Sequence, residues 1–129
     1  MNDPVRLARW VVGLSCVVYT VAGVPFLLFP AQMTAFVGVS LSSVTADNDV
    51  RAVYGGVAVG LAFFLGMATR RDDWLVPALW VIALTLGGLA LGRFISWGVA
   101  GIPEPLGLAM HVAEVAGLLL STFVLWRLD

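Results

Sequence analysis

Residues 75–92 read LVPALWVIALTLGGLALG, eighteen positions without a single charge. A helix that crosses the hydrocarbon of a bilayer needs about 20 mostly apolar residues, within a range of about 17–25. This stretch is therefore read as a membrane span, and three others join it: about 10–29, 52–68 and 106–126. Punctuation separates them: Pro30 with a Ser/Thr/Asp-rich segment, then Arg70-Arg71-Asp72-Asp73, then the Gly/Pro-containing 98–105. No stretch alternates apolar and polar residues as the strands of a membrane barrel do. The expected fold is all-α, an integral membrane four-helix bundle, with residues 1–129 forming one four-span domain.

Composition agrees. The chain has 129 residues, 60% hydrophobic and 12% charged, with a mean hydropathy of +0.99. Soluble domains carry about 25% charged and 45–50% apolar residues. So small a core cannot hide the excess, which excludes a soluble monomer, and disorder demands the opposite composition. A net charge of −1 and the absence of lysine exclude nucleic acid as a partner, because phosphate backbones call for a basic stripe. Cys16 is the only cysteine, so neither an intrachain disulfide nor a cysteine metal cluster is available. The first span follows Arg6 and Arg9 but is too long for a signal-peptide core and lacks a small-x-small cleavage site. It is expected to be an uncleaved anchor.

The arginines orient the chain. With four spans, Arg6, Arg9, Arg70, Arg71 and Arg127 share one side, and Arg51 and Arg93 the other. The bias places both termini in the cytoplasm, with Trp10, Trp74 and Trp126 at the cytoplasmic ends of spans. Gly56 and Gly60, and Gly88 and Gly92, lie four apart, a spacing that lets helices approach closely in lipid and offers faces for homo-oligomer formation. The segment 31–47 is too short and polar to span. It is expected to lie at the interface or to pack back over the non-cytoplasmic end.

Polar residues converge on that same end. Asp47, Asn48, Asp49 and Arg51 open the second span with Tyr54 a turn inside, Arg93 ends the third, and His111 and Glu114 lie in the fourth. At 1.5 Å per residue Glu114 falls about 12 Å below the start of its helix. His111 and Glu114 share a helix face. Ionisable residues at such depth cost about 2.5–3.5 kcal/mol even on permissive scales, and they normally face the protein interior, pair, and mark function. Against this stands a purely structural reading. Arg93 would snorkel, Asp47 or Asn48 would cap a helix, and Glu114 would pair with Arg93 to lock two helices.

The run Asn48-Asp49-Val50-Arg51-Ala52-Val53-Tyr54-Gly55-Gly56 resembles the N-D-x-R-x-x-Y-G-G signature of a family of small four-helix bacterial membrane proteins of unknown function. Gly92-Arg93 and Glu114 are similar to that family's Gly-Arg pair and fourth-span glutamate, and the hydropathy outline resembles that of DoxX-like proteins. The resemblance implies a bacterial inner-membrane protein and a site at these positions, and it carries no activity.

Standard catalytic signatures are missing: no Gly-rich phosphate loop, no G-x-S-x-G elbow, no H-E-x-x-H helix. Asp47 and Asp49 are a sparse set for Mg²⁺, and one histidine makes neither a zinc nor a haem site, so no metal or cofactor is expected. Few polar groups occupy the cytoplasmic half, which disfavours a proton path. What remains is acid–base chemistry on an apolar molecule. Glu114 is the leading catalytic candidate, with Asp49 second and His111 reloading the proton. Tyr54, Arg51, Arg93, Phe94, Trp97, Tyr19 and Phe26 are the candidates for substrate binding, their aromatic faces suited to passing cations. The expectation is an isomerase or cyclase of a lipophilic, terpenoid-like alkene or epoxide. The rival is a non-catalytic membrane subunit, or a lipid- or quinone-binding protein, whose polar cluster is structural. The expected partners are membrane lipid and a lipophilic small molecule.

Overall fold

In hydrocarbon a backbone can satisfy its own polar groups only as a helix or a closed barrel, and this chain takes the helix. The structure, a computed structural model, describes residues 3–129, with no strand among them. Its elements are α1 (Asp3–Leu28), α2 (Pro30–Phe36), α3 (Val44–Val50), a π-helical segment (Arg51–Gly56), α4 (Val57–Ala68), a 3-10 turn (Asp72–Trp74), α5 (Leu75–Ala100) and α6 (Pro105–Leu128). The segments from α3 to α4 run as one helix, Val44–Ala68. Together with Asp3–Leu28, Asp72–Ala100 and Pro105–Leu128 it gives four helices long and apolar enough to cross a membrane. At most 33% of each span's apolar window is buried within protein, so the outer faces need a lipid solvent. The chain is an integral membrane protein.

Helix boundaries have local causes. Phe29 breaks α1 because it precedes Pro30, which pushes it out of the helical region (φ −132°, ψ 55°). Pro30 then starts α2, where a missing N–H is harmless. Ser43 caps α3, its hydroxyl accepting from the Ala46 N–H at 3.1 Å. Gly101, at φ +94°, ends α5 in a conformation that favours glycine, and Pro105 opens α6. The segment 31–47 thus becomes α2, a loop and the first turn of the second spanning helix.

Contacts divide the chain into two compact units, one formed by the chain up to Val12 with Arg71–Asp129, the other by Gly13–Arg70. In the first, Leu79, Ile82 and Ala83 of α5 and Val124 and Leu125 of α6 are buried. Gly117 leaves the space that Leu86 fills, since a Cβ there would meet Leu86 Cδ1 at 2.4 Å. Arg9 pairs with Asp72, and Arg71 with Asp73 at 3.0 Å.

In the second unit, α1 crosses the helix 44–68 closely. A Cβ on Gly55 would stand 2.6 Å from the Leu27 nitrogen, and one on Gly23 would stand 2.7 Å from the Ala58 Cβ. The glycines expected to make close approaches do not make them. A Cβ on Gly60, Gly88 or Gly92 would meet nothing within 4 Å, and one on Gly56 would meet only the Arg51 carbonyl at 3.8 Å. Spacing of four along one helix says nothing about which face a neighbour crosses, and here the crossing falls on Gly23 and Gly55.

Candidate functional site

α5 and α6 bring four polar side chains together in the first unit. Arg93 and Trp97 lie one turn apart on α5, and His111 and Glu114 lie three apart on α6, so each pair shares a helix face. Glu114 is 8% exposed and sits about 13 Å along α6 from Pro105. Arg93 Nε donates to both of its carboxylate oxygens, at 2.9 and 2.8 Å. That leaves Nη1 and Nη2 of Arg93 without a partner among the described residues. One turn along, the Trp97 and His111 rings pack at 4.6 Å between centroids, inclined by 50°. Trp97 Nε1 and His111 Nδ1 are buried and make no hydrogen bond. Phe94 tilts against Trp97 at 6.3 Å and is otherwise exposed.

The chemistry of this set is that of an acceptor-seeking surface. Arginine carries five N–H donors in a fixed fork and indole carries one, while a neutral imidazole nitrogen donates or accepts according to its tautomer. Glu114 uses one donor of the fork, and the rest remain available to an oxygen-bearing molecule.

A second set belongs to the unit Gly13–Arg70. Arg51 Nη1 donates to the Leu27 carbonyl at 2.7 Å and Nη2 to Asp47 Oδ2 at 3.2 Å. Leu27 lies in the last turn of α1, where carbonyls have no intrahelical partner, and a cation there also suits the helix dipole. Arg51 opens the π-helical segment, whose widened turn places Gly55 against the Leu27 backbone; such segments recur at functional sites. Tyr54 stacks on Phe26, centroids 5.6 Å apart and planes inclined by 30°.

Of the residues singled out in the sequence, Arg93 joins Glu114, and Trp97 joins His111 and Phe94. Arg51 joins Asp47, and Tyr54 joins Phe26. The two groups belong to different units. Tyr19 is half-buried on α1. Asp49 is exposed and enters neither group, with no hydrogen bond or ion pair among the described residues. The same residues contain no cluster of three or more His, Cys, Asp or Glu able to hold a metal.

Sequence reasoning missed the Leu27 carbonyl as the partner of Arg51. The signal was present, because a helix stopped by Pro30 leaves its last carbonyls unsatisfied and the nearest unassigned cation on the next span is Arg51. It also missed Gly23 and Gly55, for which no one-dimensional signal exists.

One protein family matches residues 7–125, nearly the whole chain, under the description Domain of unknown function (DUF4345). Comparison with curated proteins and with solved structures found no match.

Proposed function

Because the chain belongs to the DUF4345 family, whose function is unknown, its reading rests on its own chemistry, and we propose that it is a membrane-embedded binding protein for a lipophilic small molecule whose oxygen-bearing head sits at the α5–α6 cluster. One observation carries this: Trp97 Nε1 and His111 Nδ1 are buried without hydrogen bonds, one helical turn from an Arg93–Glu114 pair that engages only the Arg93 Nε. A buried donor or acceptor left unmade costs about 1–3 kcal/mol, and such groups in a native structure call for an explanation such as a ligand. The ligand's tail would remain in hydrocarbon. A quinone or an oxygenated terpenoid has this division into apolar body and acceptor oxygens.

A second reading, acid–base isomerisation or cyclisation of such a molecule, is favoured by the depth of Glu114 and by the open Nδ1 of His111 on the same face. Here His111 and Glu114 would move the proton, and Asp49 would be the reserve acid. The arginine bias supports cytoplasmic termini. The resemblance of residues 48–56 to a bacterial family signature, with a DoxX-like outline, supports a bacterial inner membrane. The open faces at Gly60, Gly88 and Gly92 are where a second copy would pack.

The test is extraction of protein purified in mild detergent, with mass spectrometry of the organic phase. Wild type should carry one lipophilic species enriched over the bulk membrane extract, and a Trp97→Phe, His111→Phe double variant should lose it. Co-purified material of bulk composition in both would end the binding reading. If a species is found, turnover by wild type and its loss in a folded Glu114→Gln variant would promote the catalytic reading.

A further inference from the structure

We infer that the unit Gly13–Arg70 carries a second, separate site: a groove between α1 and α4 that takes an acyl chain of an anionic phospholipid, with Arg70 on its phosphate. The groove has a volume of about 370 Å³ and is open to its surroundings, not enclosed. Its size lies within the ~300–1,000 Å³ typical of small-molecule sites. Val59, Phe63 and Gly66 line it from one face of the second spanning helix, Arg70 from the turn that follows it, and Cys16 and Val24 from α1. At 1.5 Å per residue the helical stretch from Val59 to Ala68 is about 14 Å long.

The walls present little polarity to an occupant. Cys16 Sγ donates to the Ala62 carbonyl at 3.2 Å, and the Thr20 hydroxyl donates to the Cys16 carbonyl at 2.8 Å, so both polar lining groups are turned onto backbone. Arg70 is different. It follows the end of α4, its side chain is exposed, and its guanidinium has no partner among the described residues. An apolar channel ending in one unpaired cation is complementary to an amphiphile with an apolar chain and an anionic head. Guanidinium matches phosphate through two parallel N–H donors. Gly66 keeps the channel open beside Cys16, whose Sγ a Cβ would meet at 3.5 Å, so a longer side chain there grows into the groove.

The proposal is tested by native mass spectrometry of the full chain in detergent, titrated with phosphatidylglycerol and with phosphatidylcholine of the same acyl chains. Wild type should retain phosphatidylglycerol about tenfold better, the weight of one charge-assisted contact. Arg70→Gln should abolish that preference, and Gly66→Leu should lower retention of both lipids, with helicity by circular dichroism unchanged. Equal retention of the two lipids by wild type overturns the proposal, as does a preference that survives Arg70→Gln. Competition by glycerol phosphate as effective as by the lipid would reduce the site to an anion contact and overturn it too. A dimer mass that disappears in Gly66→Leu would assign the groove to a second copy instead.

Discussion

Both carboxylate oxygens of Glu114 accept from a single nitrogen of Arg93, its Nε, at 2.9 and 2.8 Å. This is not the fork-to-fork arrangement that uses two guanidinium nitrogens. It ties α5 to α6 through Nε alone and leaves Nη1 and Nη2 without a partner among the described residues, so one residue can serve as a helix lock and still meet a ligand.

The lock should be visible as coupling. Glu114 is almost fully buried, whereas the Arg93 side chain is 32% exposed. The pair is therefore expected to contribute about 1–2 kcal/mol, as interhelical polar contacts in membranes do, below the ~3–5 kcal/mol of a fully buried pair. Arg93→Met or Glu114→Leu alone should lower thermal stability in detergent micelles. The double variant should recover most of the loss, because no charge is then stranded. Additive losses would show that the pair is not a lock.

Trp97→Phe and His111→Phe should leave stability within about 1 kcal/mol of wild type or above it, since each removes a buried group that bonds to nothing in the protein. Both should weaken retention of the lipophilic species. A stability loss of several kcal/mol would mean that the two rings serve packing alone.

Two kinds of glycine should separate cleanly. Gly55→Ala places a methyl 2.6 Å from the Leu27 backbone nitrogen, and backbone cannot step aside as a side-chain tip can. A loss of about 1–3 kcal/mol is expected. Gly60→Ala and Gly88→Ala meet nothing within the chain and should, in the detergent-solubilised monomer, be neutral or stabilising by up to about 1 kcal/mol, through helix propensity alone. Equal effects at the three positions, read by thermal unfolding, would contradict the close crossing.

Arg51→Gln should cost about 1 kcal/mol by uncapping the Leu27 carbonyl. Asp47→Asn should cost under ~0.5 kcal/mol, because its contact is an i, i+4 pair that stays well exposed. The reverse order would assign Arg51 to the ion pair and not to the helix end.

The orientation is checked with a membrane-impermeant maleimide on a Cys16→Ser background. Arg70→Cys should react only from the cytoplasmic side and Ser42→Cys only from the opposite side. Reversed labelling would place the α5–α6 cluster in the cytoplasmic half.

Hydropathy read along the chain is enough to give the solvent and the number of spans. Runs such as 75–92 need only length and the absence of charge to be read, and both are properties of the chain taken one residue at a time. The sequence also placed Arg93, His111 and Glu114 near one depth, because helical rise converts residue number into depth. Which faces meet is a matter of packing between helices. These helices are apolar nearly all round, so they lack the polar stripe that in a soluble helix says which side turns outward. That is why Gly23 and Gly55, and not the glycine pairs four apart, make the close crossing, why Arg51 ends on the Leu27 carbonyl, and why His111 meets Trp97. Rotation about each helix axis is set by side-chain interlocking between helices, a property no single helix carries.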